Sequence, residues 1–240
     1  LTVDLNTAGT RDNLVWNTQS GLNGGTLLAF GSRTADNVVE FFDNLNLGAS
    51  KSGTREFRVA DNPAGAADRA LLSGAISGIA GWTLAKTGDG TLVLAGANTH
   101  AGNTRVGAGL LAVDGSFDAR TSTVTVEAGG ALGGTGTIAR DVTVQAGGTL
   151  AATDAASTTG LTIDGDATID GFVGVRLPTP AVGTYTVATV NGALSLALPA
   201  AEPMPEELKL QGTVIVEGAG PYVIKVRVTS SGVATLLIVR

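Results

Sequence analysis

The chain has no cysteine, one histidine and one methionine in 240 residues. Disulfide staples and thiolate metal sites are therefore excluded, and a zinc site, which needs three or four Cys, His or carboxylate ligands, has little to draw on. Lack of cystine permits export without demonstrating it. Aromatic residues are only 4% and charged residues 15%, both low for a globular chain. Fifteen Lys and Arg stand against twenty-one Asp and Glu, a net charge of −6 with no basic cluster, so phosphate backbones are not attracted and no nucleic acid partner is expected. The longest late apolar run, Val233–Val239, is seven residues, where a membrane helix needs about twenty; no membrane insertion by this segment is expected. The opening residues LTVDLNTAG show neither a basic start nor an apolar signal core, and the chain is expected to begin as a mature or excised piece.

Glycine is abundant, at 35 residues, and 43% of the chain is hydrophobic with a mean hydropathy of +0.27. That is too apolar for a disordered linker and too rich in turns for helices. The pattern is clearest in Leu84–Val113, where short apolar runs such as Thr91–Leu94 and Leu110–Val113 are separated by Gly, Asn and Asp breaks. An internal repeat sets the period. Val124–Leu132 recurs as Val142–Leu150, a shift of 18 with seven of nine residues identical, while Val106 precedes Val126 by 20 and Leu161 follows Val142 by 19. A period of 18–20 residues made of strands three to five long is too short for a propeller blade or a helical repeat and suits one turn of a β-helix. In such a stack, one coil cannot bury its own Val, Leu and Ile, but successive coils align them into continuous ladders. The regular Leu and Asn consensus of leucine-rich repeats is missing, and Gly133–Thr137 lacks the Asp of calcium-binding nonapeptides.

Residues Trp82–Lys86, Thr87–Leu92, Leu94–Gly96, Asn98 and Thr99, Gly102–Val106 and Gly109–Leu111 together resemble the autotransporter-associated β-strand repeat of bacterial passenger regions. The resemblance is close over the signature 82–113 and looser over about two thirds of the chain. His100 departs from the family, which usually carries Tyr there. The resemblance implies an all-β fold, a right-handed parallel β-helix, an extracellular or bacterial cell-surface location, and a structural role in export, display and adhesion rather than an enzymatic one.

In chain order, Thr2–Leu5, Leu14–Trp16 and Thr26–Phe30 are expected as the first rungs, with Trp16 as a core or end-cap aromatic. Asn37–Leu47 fits both helical and alternating spacing, but Gly48 and the neighbouring Asn residues favour strands. Arg55–Val59 should be a strand with Phe57 and Val59 inward, and further coils should fill 124–170. Five of the seven prolines fall between Pro178 and Pro205, so coils are expected over 1–175 and a capping region, continuous with the solenoid, over 176–240. Glu202–Leu208 reads as a loop with about one helical turn. Tyr222–Val228 and Val233–Val239 read as a C-terminal β-hairpin covering the last coil's edge.

No catalytic constellation emerges. The sole histidine, His100, has no G-x-S-x-G elbow to partner it and reads as a turn residue. Gly88–Gly90 and Gly133–Gly136 lack the Gly-Lys-Ser/Thr of phosphate loops, so no cofactor is implied. The one dense acidic group is Asp164, Asp166 and Asp170. In an extended segment Asp164 and Asp166 would share a face about 7 Å apart, suited to a carbohydrate or calcium contact and to a carbohydrate-binding or polysaccharide-degrading alternative. The favoured reading is a solvated turn between coils. Threonines 121, 123 and 125 suggest a further alternative, a Thr ladder against a flat repeating surface, though Thr is simply a good strand residue. Surface glycans or other copies of the chain are the partners such a body would meet.

Overall fold

The computed structural model describes residues 2–3, 13–16, 25–32, 34–35, 37–63, 69–118, 121–156, 158–177, 180–197, 200–201, 211–230 and 237–239. Among them there is no helix. The strands come in threes, each set forming one coil. Coil one holds β1 (Thr2–Val3), β2 (Asn13–Val15) and β3 (Leu27–Phe30); coil two holds β4 (Val38–Phe41), β5 (Asn44–Asn46) and β6 (Gly53–Val59). Coil three follows with β7 (Arg69–Leu72), β8 (Ile76–Ser77) and β9 (Trp82–Thr87), and coil four with β10 (Thr91–Leu94), β11 (Ala97–Asn98) and β12 (Thr104–Val106). The next two are β13 (Gly109–Val113), β14 (Ser116–Phe117) and β15 (Val124–Val126), then β16 (Gly130–Gly133), β17 (Thr137–Ile138) and β18 (Val142–Val144). Coil seven is β19 (Thr149–Ala152), β20 (Leu161–Ile163) and β21 (Ala167–Ile169). The eighth, β22 (Phe172–Val175), β23 (Gly183–Val190) and β24 (Leu194–Leu196), continues the stack into the proline-rich stretch, and β25 (Ala200–Ala201) lies beside β22.

Every third strand stacks in parallel. Sheet A runs β1-β4-β7-β10-β13-β16-β19-β22-β25 and sheet C runs from β3 through β6, β9, β12, β15, β18 and β21 to β24. Sheet B begins at β11 and continues through β14, β17, β20 and β23. A three-stranded sheet of β2, β5 and β8 precedes it, joined where the Asn98 side chain accepts the Ile76 amide. This is a parallel β-helix, and the ambiguous Asn37–Leu47 holds two strands, β4 and β5, as its glycine and asparagine breaks suggested.

In-register pairing makes the core a set of ladders. On sheet C, Phe57, Lys86, Val106, Val126, Val144 and Ile169 form one inward column; Arg55, Leu84, Thr104, Val124, Val142 and Ala167 form its neighbour. Sheet A contributes Leu92, Leu111, Leu132, Leu150 and Val173, all fully buried. Each such aliphatic side chain contributes about 1.5–3 kcal/mol on leaving water, and none could do so without the coils above and below. The repeated Ala-Gly-Gly corners carry Gly129 and Gly147 in the left-handed region, with φ of 85° and 81°, a conformation that glycine adopts without steric cost.

Two expectations need correction. Val106 does stack on Val126, and Val124 on Val142, but Val142 stacks on Ala167, a shift of 25, while Leu161–Ile163 belongs to sheet B beside Thr137 and Ile138. The chain between Ala152 and Leu161 lengthens that corner and displaces the repeat. At the C-terminus the hairpin exists with a different partner. β26 (Gln211–Glu217) and β27 (Tyr222–Thr229) pair antiparallel, β27 also lies along β23, and β28 (Leu237–Val239) runs parallel to β26. The short link from Gly218 to Pro221, with positive φ at Gly218 and Gly220, returns the chain directly into β27. Val214, Val216, Ile224, Val226 and Val228 are buried in this cap. The expected turn over Glu202–Leu208 lies outside the described residues.

Candidate functional site

Asp164, Asp166 and Asp170 are exposed, and they sit at coil corners rather than along one extended strand. Asp164 follows β20 and accepts a 2.6 Å hydrogen bond from the Asn191 amide. Asp166 precedes β21, where its carboxylate accepts the Ala193 main-chain N–H at 2.8 Å and its own N–H donates to the Asp141 carboxylate at 2.9 Å. The Asn103 side chain likewise accepts the Thr123 N–H one coil on. These residues occupy one column along the stack, each capping the next coil's amide as sheet C begins. Asp170 follows β21 and donates its own main-chain N–H to Val144 O. Among the described residues no group of three or more His, Cys, Asp or Glu side chains could hold a metal ion. The Thr ladder runs across coils rather than along one strand: Thr125, Thr143, Thr168 and Ser195 stand in register on the outer face of sheet C.

The polar groups that alternation and turn chemistry did not single out lie inside. Arg55 is 1% exposed, with its guanidinium 3.8 Å from the Trp82 ring centroid and 4.9 Å from that of Trp16. It donates to the Leu47 and Gly25 carbonyls, both at 3.0 Å. Trp16 meets Phe57 edge to face at 5.6 Å, so it is the core aromatic expected of it.

Lys86, the lysine of the signature, is fully buried. Its ammonium donates to Thr87 O at 2.9 Å, Gly88 O at 2.7 Å and Ala108 O at 3.0 Å. Three donors meet three carbonyls, two on its own corner and one on the next coil. Burial pulls its pKa down to about 8, against a smaller opposing pull from Asp89. Asn98, the signature asparagine, is buried and satisfied, accepting from Ile76 N and donating to Gly96 O and Ser116 O. The motif's polar residues are thus fastenings between coils.

His100 is fully buried at the corner between β11 and β12. Its Nε2 lies 2.9 Å from Thr104 Oγ1 and 3.3 Å from Arg140 Nη1, while Nδ1 has no partner. Burial first, and Arg140 second, push its pKa down to about 3 against Asp118. A neutral ring enclosed in this way meets no substrate. Arg140, 1% exposed, reaches from coil six across coil five to coil four, donating to Asp118 O, His100 O and Gly102 O.

With that geometry in view, two comparisons with known proteins bear on the chain. Residues 84–113 match the family Passenger-associated-transport-repeat. A segment of 71 residues, 30% of this chain, is 45% identical to the adhesin BmaC autotransporter of Brucella suis biovar 1 (strain 1330). That segment spans only 2% of the adhesin's length. Both point to a structural, non-enzymatic part, in keeping with a signature whose Lys and Asn are spent on fastening coils. Residues 84–113 are thus similar to a passenger-associated transport repeat, and the chain that carries them is a parallel β-helix.

Proposed function

We propose that this chain is a length of stalk in a bacterial surface-exposed or secreted protein, supporting its export and display and adhering through its sides to surface glycans or to other copies. The observation that carries the reading is the parallel stack, in which the strands of each coil pair with those of the coils on either side. Such a solenoid folds by adding one coil to the last, so folding follows the chain as it emerges. The match of residues 84–113, coil four with the strands that flank it, to the passenger repeat, and the likeness to a curated adhesin, support the same role.

Register gives the test. Val124 stacks on Val142, so deleting residues 124–141 removes one whole coil and leaves every ladder aligned. In the parent protein this deletion should leave surface display intact, as scored by protease accessibility on whole cells. Deleting residues 124–132 alone removes half a coil, turns inward residues out, and should abolish display. Equal display of the two variants would sink the stalk reading.

A further inference from the structure

We propose that the corner built from His100, Asp118 and Arg140 is a proton-operated latch between coils four, five and six. Arg140 is its bolt. From the corner ahead of β18, its guanidinium passes over the Phe117 ring at 5.1 Å and donates to Asp118 O at 3.1 Å on coil five. It then ends on His100 O at 2.6 Å and Gly102 O at 3.2 Å on coil four. One side chain thereby ties three coils through main-chain acceptors, and its two bonds to coil four are buried.

The ring at the end of the bolt tolerates a single charge state. A guanidinium only donates, so the 3.3 Å bond from Arg140 Nη1 makes Nε2 an acceptor and puts the neutral ring's proton on Nδ1, with Thr104 Oγ1 2.9 Å from Nε2. A second proton would go to Nε2, take away the lone pair that Arg140 Nη1 donates to, and set a cation 3.3 Å from the Arg140 guanidinium. Among the described residues, the charged groups facing the ring are Arg140 from coil six and Asp118 from coil five. Asp118 Oδ1, 3.3 Å from Arg140 Nη2, already answers the guanidinium and is partly solvated. Two cations in contact, with the bond between them lost, are costly in such a site. Protonation therefore comes with release of the bolt and opening of the corner, while coils held by aliphatic ladders stay closed. A passenger stalk carrying this latch, on the reading above, is stiff at neutral pH and yields at one height in acid.

The size follows from linkage. With an ordinary histidine value of 6.5 in the open corner and about 3 in the closed one, the opening equilibrium rises about a hundredfold between pH 7.5 and pH 4.5. The test is amide hydrogen exchange on the purified chain, corrected for the intrinsic pH dependence of exchange, comparing wild type with His100→Gln and His100→Asn. The expected result is a roughly hundredfold loss of protection over residues 99–106 and 138–142 in wild type alone, with β19 and β22 unchanged. An equal acid response in the neutral variants, or none in wild type, overturns the latch. Because His100 is the only histidine, NMR of wild type gives a check free of variants: the folded ring must stay neutral at pH 4.5, and titration near 6.5 in the closed fold also overturns it. Failure here leaves the display assay untouched, so the two readings fall separately.

Discussion

Replacing Lys86 with Met tests what the signature lysine does. The variant keeps most of the side-chain volume and strips the donors from Thr87 O, Gly88 O and Ala108 O. Orphaning a buried acceptor costs about 1–3 kcal/mol, so three cost about 6 kcal/mol in total. Against this, the wild type holds an ammonium out of water, and a pKa lowered from 10.5 to about 8 places that penalty at about 3 kcal/mol. The net loss for Lys86→Met is then about 3 kcal/mol at pH 7. The pH dependence is the sharper signature. Between pH 8 and 10.5 the unfolded chain binds more protons at this lysine than the folded chain does, so wild-type stability rises with pH from this group. The rise reaches about 2 kcal/mol at pH 9.5 and is absent below pH 7. Urea unfolding followed by tryptophan fluorescence suits the measurement, since Trp82 lies on the same strand. The gap between wild type and variant should widen from pH 7 to pH 9.5. A gap that stays constant or narrows would refute the account of Lys86 as a desolvated, triply bonded ammonium.

Other substitutions probe the corners. Gly102→Ala directs a methyl into the Trp82 carbonyl oxygen one coil below; with backbone on both sides the clash should cost about 1–3 kcal/mol in chemical unfolding. Asp166→Ala removes the acceptor of the Ala193 amide at an exposed corner and should cost about 0.5–1.5 kcal/mol, read in the same way. A loss much larger than this would mean that Asp166 does more than cap.

Much of the architecture was legible in turn punctuation and repeat spacing, because in a solenoid the repeat is the fold. The nine-residue match between Val124–Leu132 and Val142–Leu150 corresponds to the pairing of β15 with β18 and the start of β16 with β19. The reading failed where a corner changed length: the insertion before Leu161 leaves its sequence repeat-like while moving it to another sheet. The hairpin partner was missed because Val233–Val239 is the more apolar run, six residues of seven against three in Gln211–Glu217, whereas the tight Gly218–Pro221 link decides for the latter.

The interior cations had a signal that charge obscured. Alternation that turns Phe57 and Val59 inward also turns Arg55 inward, and that of Trp82 and Leu84 does the same for Lys86. His100 and Arg140 lie at corners, where periodicity gives no sense of depth. Their burial follows from coils stacking on both sides, and three successive corners must be seen together before Arg140 is recognised as a tie.

In-register stacking of the coils is the central claim, and disulfide cross-linking tests it most directly, since the chain has no cysteine of its own. Thr125 and Thr143 are register partners on adjacent strands, and Thr168 stands one coil further along. Adjacent parallel strands lie about 4.8 Å apart, within the span a disulfide bridges, whereas two strands apart exceeds it. The double variant Thr125→Cys/Thr143→Cys should oxidise rapidly within one chain, and Thr125→Cys/Thr168→Cys should not. Efficient closure of the second pair, or none of the first, would contradict the stack.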